Sequence, residues 1–350
     1  MNMKIFVALI FSAIIIAGCK HETKEGIVMI GDGEMPNVTK DNAGGIHVVY
    51  GQHDQIMYTM SRDQGKTFPV PEVLNQLPEL AASHMRGPQI AATSNGLVVT
   101  ACTHDGDIYS FIRDSSGKWI RSARINDMDA VAKENLMALA AEGQFVYAVW
   151  LDLRDGQNKI FGSSSLDAGK TWTKNLLVYA SPDSSVCECC KPSVMITANR
   201  VVVMFRNWLK GNRDMYIIES NDNGKTFGEA MKLGTGSWAL DGCPVDGGGL
   251  VLNGSNGVSA VWRREKKIYT GNVNKEETAI GEGKGCTIES ANGKNLFAWV
   301  EGGEIVILKP GGIKETIGDG SMPVLKAIDD HQVLCVWENE KEIYSKIITL

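Results

Sequence analysis

One octapeptide recurs along this chain at a nearly constant interval, and that recurrence limits the fold more than any other feature. Ser61-Arg-Asp63-Gln-Gly65-Lys-Thr67-Phe68 is matched by Ser165-Leu-Asp167-Ala-Gly169-Lys-Thr171-Trp172 and by Ser220-Asn-Asp222-Asn-Gly224-Lys-Thr226-Phe227. A degenerate copy over residues 113–119 reads Arg113-Asp114-Ser-Ser-Gly117-Lys-Trp119. The aspartates fall at 63, 114, 167 and 222, in steps of 51, 53 and 55 residues. The chemistry of such an octet is local. Its aspartate accepts backbone N–H groups across a turn, its glycine takes φ > 0, and its aromatic residue packs beneath the hairpin. Asp222-Asn-Gly224 also suggests a calcium loop, but the oxygen ladder and final glutamate of an EF-hand are missing. The octet therefore reads as structural.

A second landmark keeps the same rhythm. Hydrophobic runs close on a large residue at Val48-Val49-Tyr50, Tyr147-Ala-Val149-Trp150, Val203-Met204-Phe205, Ala260-Val261-Trp262, Phe297-Ala-Trp299 and Cys335-Val336-Trp337. Leu97-Val98-Val99-Thr100-Ala101 fills the remaining gap without an aromatic residue. Seven units result, most of them opened by a proline (Pro36, Pro88, Pro192, Pro244, Pro323), and the last two are shorter and lack the octet.

The octet resembles the Asp-box (BNR) repeat of sialidase-like β-propellers. That resemblance implies an all-β fold of four-stranded blades. Seven blades are favoured; six, the number usual in catalytic sialidases, is the alternative. Ile30-Gly31-Asp32-Gly33-Glu34-Met35-Pro36 nearly repeats as Ile317-Gly318-Asp319-Gly320-Ser321-Met322-Pro323, and the last unit stops after its third strand. Residues 26–30 are thus expected to supply its fourth strand, pairing the two termini and removing an open edge. One propeller is expected over 26–350.

With 350 residues, 43% hydrophobic and 22% charged, the composition is that of a globular protein. The net charge of −6 and the scattered lysines and arginines exclude a nucleic-acid partner. One apolar run, residues 5–17, is too short to span a membrane but suits the core of a signal peptide. It ends in Ile16-Ala17-Gly18-Cys19, which resembles a bacterial lipobox. The expectation is a signal peptide over 1–18, a lipidated Cys19, a short tether over 19–25 and a place in the cell envelope, with membrane contact through the lipid only. An ordinary secretion signal is the alternative.

Propeller ligands sit on the face formed by loops that lead into first strands and loops that join second to third strands. In this sequence those loops carry His84, Arg86, Glu134, Lys191 and Asp246 before first strands, and Asp152, Arg154, Arg206, Trp208 and Arg263 after second strands. Arg86, Arg206, Arg263, Asp152, His84 and Trp208 are the candidate ligand-binding residues. A guanidinium offers a rigid fork of donors that fits a carboxylate, so the leading reading is an acidic glycan or another anionic ligand.

The sialidase resemblance also implies an arginine clamp, a tyrosine nucleophile assisted by a glutamate, and an aspartate acid. Here the usual Arg-Ile-Pro is absent, with Arg86-Gly87-Pro88 the nearest text. Tyr269 and Tyr344 read as third-strand residues, and Asp152 or Asp105 would serve as the acid. An exo-acting glycoside hydrolase of sialidase type is the alternative, its catalytic residues unassigned.

Beyond Cys19 there are seven cysteines: Cys102, Cys187, Cys189, Cys190, Cys243, Cys286 and Cys335. Outside the cytoplasm a disulfide is the default, for example Cys243 with one of the Cys187-Glu-Cys189-Cys190 group. A second alternative is a soft-metal site for copper or zinc, built from Cys187, Cys189, Cys190 and Cys243 with Met35, Met85, Met322 or His84. Cys335 reads as a small buried hydrophobe. Gly247-Gly248-Gly249 is not a phosphate loop, because it precedes a strand and lacks the lysine that follows in such loops.

Overall fold

The computed structural model describes residues 26–114, 116–253 and 257–350. The expected signal peptide (1–18), Cys19 and the tether (19–25) lie outside the described residues. The hydrophobic runs become the second strand of each unit. Rich in Val, Ile and Ala and ending in an aromatic side chain, they suit a strand packed on both faces. Each is flanked by partners close in sequence, so every unit folds into a four-stranded antiparallel sheet; there are seven. The blades span residues 34–76, 89–124, 137–179, 193–232, 249–282 and 284–319, and the seventh joins 321–349 to the N-terminal strand Ile27–Asp32.

The first strand of each blade is innermost. Glu34–Lys40, Gln89–Thr93, Met137–Glu142, Ser193–Thr197, Gly249–Asn253, Lys284–Ala291 and Ser321–Ala327 contact one another in turn, and the seventh returns to the first. The ring is a seven-bladed β-propeller. Ile27–Asp32 closes it by running antiparallel to Glu342–Thr349, with Ile27 opposite Lys346 and Asp32 opposite Glu342. The pairing completes the seventh four-stranded blade and ties the two ends of the propeller together.

Each interface between neighbouring blades has its own apolar core, and the terminal aromatic residues fill them. Trp150, Trp299 and Trp337 are fully buried, as are Tyr50 and Phe205. Burying one large apolar side chain contributes about 2–3 kcal/mol, so the interfaces carry much of the stability. Room for the rings comes from glycines on the outermost strand of the preceding blade. A Cβ at Gly281 would lie 2.4 Å from Trp299 Cζ2, and one at Gly31 would lie 2.4 Å from Tyr50 Oη.

The octets form the turns between third and fourth strands, on the face opposite the rim loops. In the third blade the Ser165 hydroxyl accepts from Gly169 N at 2.8 Å, while Asp167 Oδ1 accepts from Thr171 N at 2.9 Å and Oδ2 from the Thr171 hydroxyl at 2.7 Å. The same bonds recur around Asp63 and Asp222. In the degenerate copy the Asp114 carboxylate accepts from Ser116 and Lys118 instead. Each full octet also staples its blade to the preceding one. Gly224, at φ +73°, sits so close to Tyr147 that a Cβ there would lie 2.2 Å from the ring, and Phe227 packs on Tyr147 at 6.0 Å between centroids.

Three first strands begin with a bulge at the channel mouth. Register shifts between Glu34 and Asn37, Lys284 and Thr287, and Ser321 and Val324 carry Met35, Gly285 and Met322 in left-handed backbone at φ 55°, 63° and 51°. Pro36 and Pro323 lack an N–H, and the extra residue lets the ladder omit that bond.

Candidate functional site

The seven innermost strands enclose a central channel with a cavity of about 540 Å³, walled by all seven blades. At its mouth Asn37, Gln89, Lys191 and Asp246 project from first strands or from the segments leading into them. Lys191 Nζ donates to Gln89 Oε1 at 2.7 Å, reaching from the fourth blade to the second. Gln89 is held in turn: its Nε2 donates to the carbonyls of Gly87 and Pro88, and its Oε1 also accepts from Asn37 Nδ2 at 3.3 Å. Among the described residues Lys191 has no ion pair. Burial alone brings its ammonium down to about 8, because removing a cation from water without a counter-charge disfavours the charged form. An anion entering the channel would supply that counter-charge.

The rim arginines divide into two kinds. Arg86 and Arg263 are part-exposed. Arg86 donates to the carbonyls of Glu134 (2.8 Å) and His84 (3.1 Å) and lies 3.9 Å from the Glu134 carboxylate. Arg263 donates to the Pro244 carbonyl at 3.3 Å and lies 3.8 Å from Asp246 Oδ2. Arg206 is buried. Its guanidinium donates to the carbonyls of Asp246, Arg213 and Arg263 at 3.4, 2.8 and 3.0 Å. Arg206 therefore fixes two loops of the rim. Arg206 and Arg263 lie against one Trp238 ring, at 5.4 and 5.6 Å.

Carboxylates divide in the same way. Asp152 is fully buried and fully engaged: Arg154 N and Nε donate to Oδ1, while Arg154 Nη2 and Trp150 Nε1 donate to Oδ2. It orients Arg154 and anchors the indole. Asp246 is also buried, and burial raises its pKa against the pull of Arg206 and Arg263. Its Oδ2 accepts from Gly285 N at 2.9 Å, while Oδ1 has no hydrogen-bond partner among the described residues. Glu134 is half-buried at the rim, and burial holds its carboxyl above the usual range. His84 and Trp208 are exposed on the same rim, with Arg213 over the Trp208 ring at 5.0 Å.

The cysteines preceding the fourth and fifth blades converge. Cys189 and Cys243 are joined in a disulfide with Cα atoms 6.2 Å apart. Cys187 and Cys190 are buried free thiols 3.5 Å apart. Cys102, Cys286 and Cys335 are free and buried.

The structure thus brings Arg86 and Arg263, with Lys191 between them in chain order, to one mouth, and turns Arg206 and Asp152 inward. Gln89, Arg213 and Trp238 did not stand out in the sequence, since none belongs to a motif. The available signal was positional: Lys191 stands immediately before Pro192 at the start of a first strand.

This arrangement defines a seven-bladed propeller with a polar channel mouth. No protein-family model and no curated protein sequence matches the chain. Among solved structures it is similar to the BP39L lectin from Burkholderia pseudomallei, at a TM-score of 0.64 and 8% identity, covering 92% of this chain and 97% of the lectin. It is also similar to an α-L-arabinanase from Penicillium chrysogenum complexed with arabinobiose, at a TM-score of 0.55 and 11% identity, over 93% and 98% of the two chains. An α-L-arabinofuranosidase from Fusarium graminearum matches equally well, at 0.55, 11%, 93% and 98%. At these identities the likeness is one of fold.

Proposed function

We propose that this propeller binds an acidic glycan, or another anionic ligand of that kind, at the mouth of its central channel, and that it does so in the cell envelope, lipid-anchored through Cys19. The observation that carries this reading is Lys191, a cation in the channel wall with no carboxylate partner among the described residues and a glutamine holding it in place. Arg86 and Arg263 flank the mouth and offer guanidinium forks to the same charge. Arg206 acts behind them by holding the carbonyls of Arg263 and Asp246. His84 and Trp208 supply exposed rings on the rim. Lectin and glycoside-hydrolase propellers sharing the fold support a carbohydrate as the ligand class.

A hydrolase remains the second reading, favoured by Glu134, a half-buried rim carboxyl whose pKa burial raises in the direction a general acid needs. A glycosidase needs a second carboxylate across the bond, and Asp152 is committed to Arg154. The binding reading is therefore preferred. A glycan array with sialylated, uronate-bearing and neutral oligosaccharides tests it. The expected result is retention of acidic glycans only, together with no turnover of a fluorogenic sialoside. Equal retention of neutral glycans would refute the charge-based reading, and turnover lost in Glu134→Gln would establish the hydrolase.

A further inference from the structure

Beside the channel, four cysteines from two successive blades meet. Three of them, Cys187, Cys189 and Cys190, have their sulfurs at 3.7, 3.5 and 4.0 Å from one another. We propose that these three form a trigonal thiolate site for a soft monovalent metal ion, Cu(I), and that the Cys189–Cys243 disulfide closes that site. The site adjoins the anion-binding mouth, with Cys190 preceding Lys191, but does not rest on that reading.

The geometry fits. A metal–thiolate bond of about 2.3 Å in a trigonal plane sets the sulfurs about 4 Å apart, which is the size of this triangle. Thiolates select Cu(I), whereas structural zinc takes four ligands. Three thiolates around one monovalent cation leave two negative charges, and buried arginine offsets them. Arg213 is buried and donates from Nη1 to Cys187 Sγ at 3.0 Å, and its Nε has no other partner among the described residues.

The thiol protons of Cys187 and Cys190 leave to solvent as the ion binds.

The disulfide controls access. Cys243 is exposed, Cys189 is part-buried, and Cys187 and Cys190 are buried. Opening needs a dithiol reductant. One of its thiolates attacks Cys243 Sγ, the Cys189–Cys243 bond breaks, and Cys189 leaves as thiolate. The second reductant thiol then resolves the mixed disulfide. Cys243 leaves as a thiol and the reductant departs as its own disulfide, with two electrons transferred.

The test is an anaerobic competition between the purified full chain and a chromophoric Cu(I) chelator, with and without prior dithiol reduction. The expected result is one Cu(I) retained per chain after reduction and none before. Cys243→Ser should retain Cu(I) without reductant, because it leaves Cys189 unpaired. Cys187→Ser and Cys190→Ser should weaken retention by more than the 10–100-fold typical of outer-shell changes, while Cys286→Ser has no effect. Failure of the reduced protein to retain copper would overturn the proposal. So would a Cys243→Ser protein that folds, by circular dichroism, yet loses binding or still needs reductant; this variant decides the matter even where a core cysteine variant fails to fold.

Discussion

Lys191 of the fourth blade and Gln89 of the second are joined across the channel mouth by a 2.7 Å hydrogen bond. The bond matters because Gln89 brings no charge. It orients the ammonium without neutralising it, and its own amide is tied to the carbonyls of Gly87 and Pro88. Replacing Gln89 with Glu would supply a counter-ion inside the channel. That substitution should weaken anionic-ligand binding by at least tenfold while leaving the fold intact. Titration calorimetry against the best acidic glycan from the array is the check.

The same pair sets a pH dependence. Lys191 has a pKa of about 8 in the folded chain, below its ordinary value of 10.5. Between these values the unfolded chain binds more protons, so this residue makes stability rise with pH through the window from about 8 to 10.5. Ligand affinity should move the other way, falling as pH passes about 8 and the ammonium is lost. Parallel denaturation and binding series at pH 7 and pH 9.5 should show these opposite trends, with the difference absent in Lys191→Met.

The octet turns make a different prediction. Gly224 combines left-handed backbone with a ring 2.2 Å from any added Cβ, whereas Gly143, also left-handed at φ +61°, has nothing within 4 Å. Gly224→Ala should cost about 2–4 kcal/mol, from strain plus overpacking. Gly143→Ala should cost about 1 kcal/mol, from strain alone. Urea midpoints of the two variants measure the difference, and equal losses would show that the staple onto Tyr147 is not tight.

Acid stability follows from the same turns. Hydrogen bonds from the Thr67 and Ser61 hydroxyls hold the Asp63 carboxyl at about 2, and those from Thr226 and Ser220 hold Asp222 lower still. A depressed folded pKa contributes stability above the unfolded value, near 3.8, that is lost as pH falls through the folded value. Exchanging Asp63, Asp167 and Asp222 together for Asn should flatten the loss of stability between about pH 4 and pH 2. Thermal melts across that range would reveal it.

Asp152 separates support from recognition. Its carboxylate accepts four hydrogen bonds from Arg154 and Trp150 and is fully buried. Asp152→Ala leaves Arg154 without its main partner and should cost about 3–5 kcal/mol. Ligand affinity in the folded fraction should stay within about threefold, measured by calorimetry beside chemical denaturation.

How much of this could be read from the chain alone depends on how local each interaction is. Ser61 accepts from Gly65 and Asp63 from Thr67, all within one octet, so the octet announces its turn wherever it occurs. The seven hydrophobic runs, four of them followed by an octet, then suffice to count seven blades, and the echo of residues 30–36 in 317–323 places the seam. The site is harder because its decisive contacts cross blades. Arg206 and Arg263 both lie near the ends of second strands, yet one turns inward to three carbonyls and the other reaches the rim. Asp152 looks like a free acid until Arg154 and Trp150 fold onto it. The standing of Lys191 is set by what does not face it, and only the closed ring shows that.

Recognition at the channel mouth turns on an uncompensated cation meeting an anionic ligand. The most direct measurement is the calorimetric affinity of one acidic glycan for the wild-type chain and for Lys191→Met, with matched urea midpoints confirming equal folding. The substitution is expected to lower affinity at least a hundredfold, and the neutral analogue of the glycan to bind neither protein. An acidic glycan bound equally well by both proteins would contradict it.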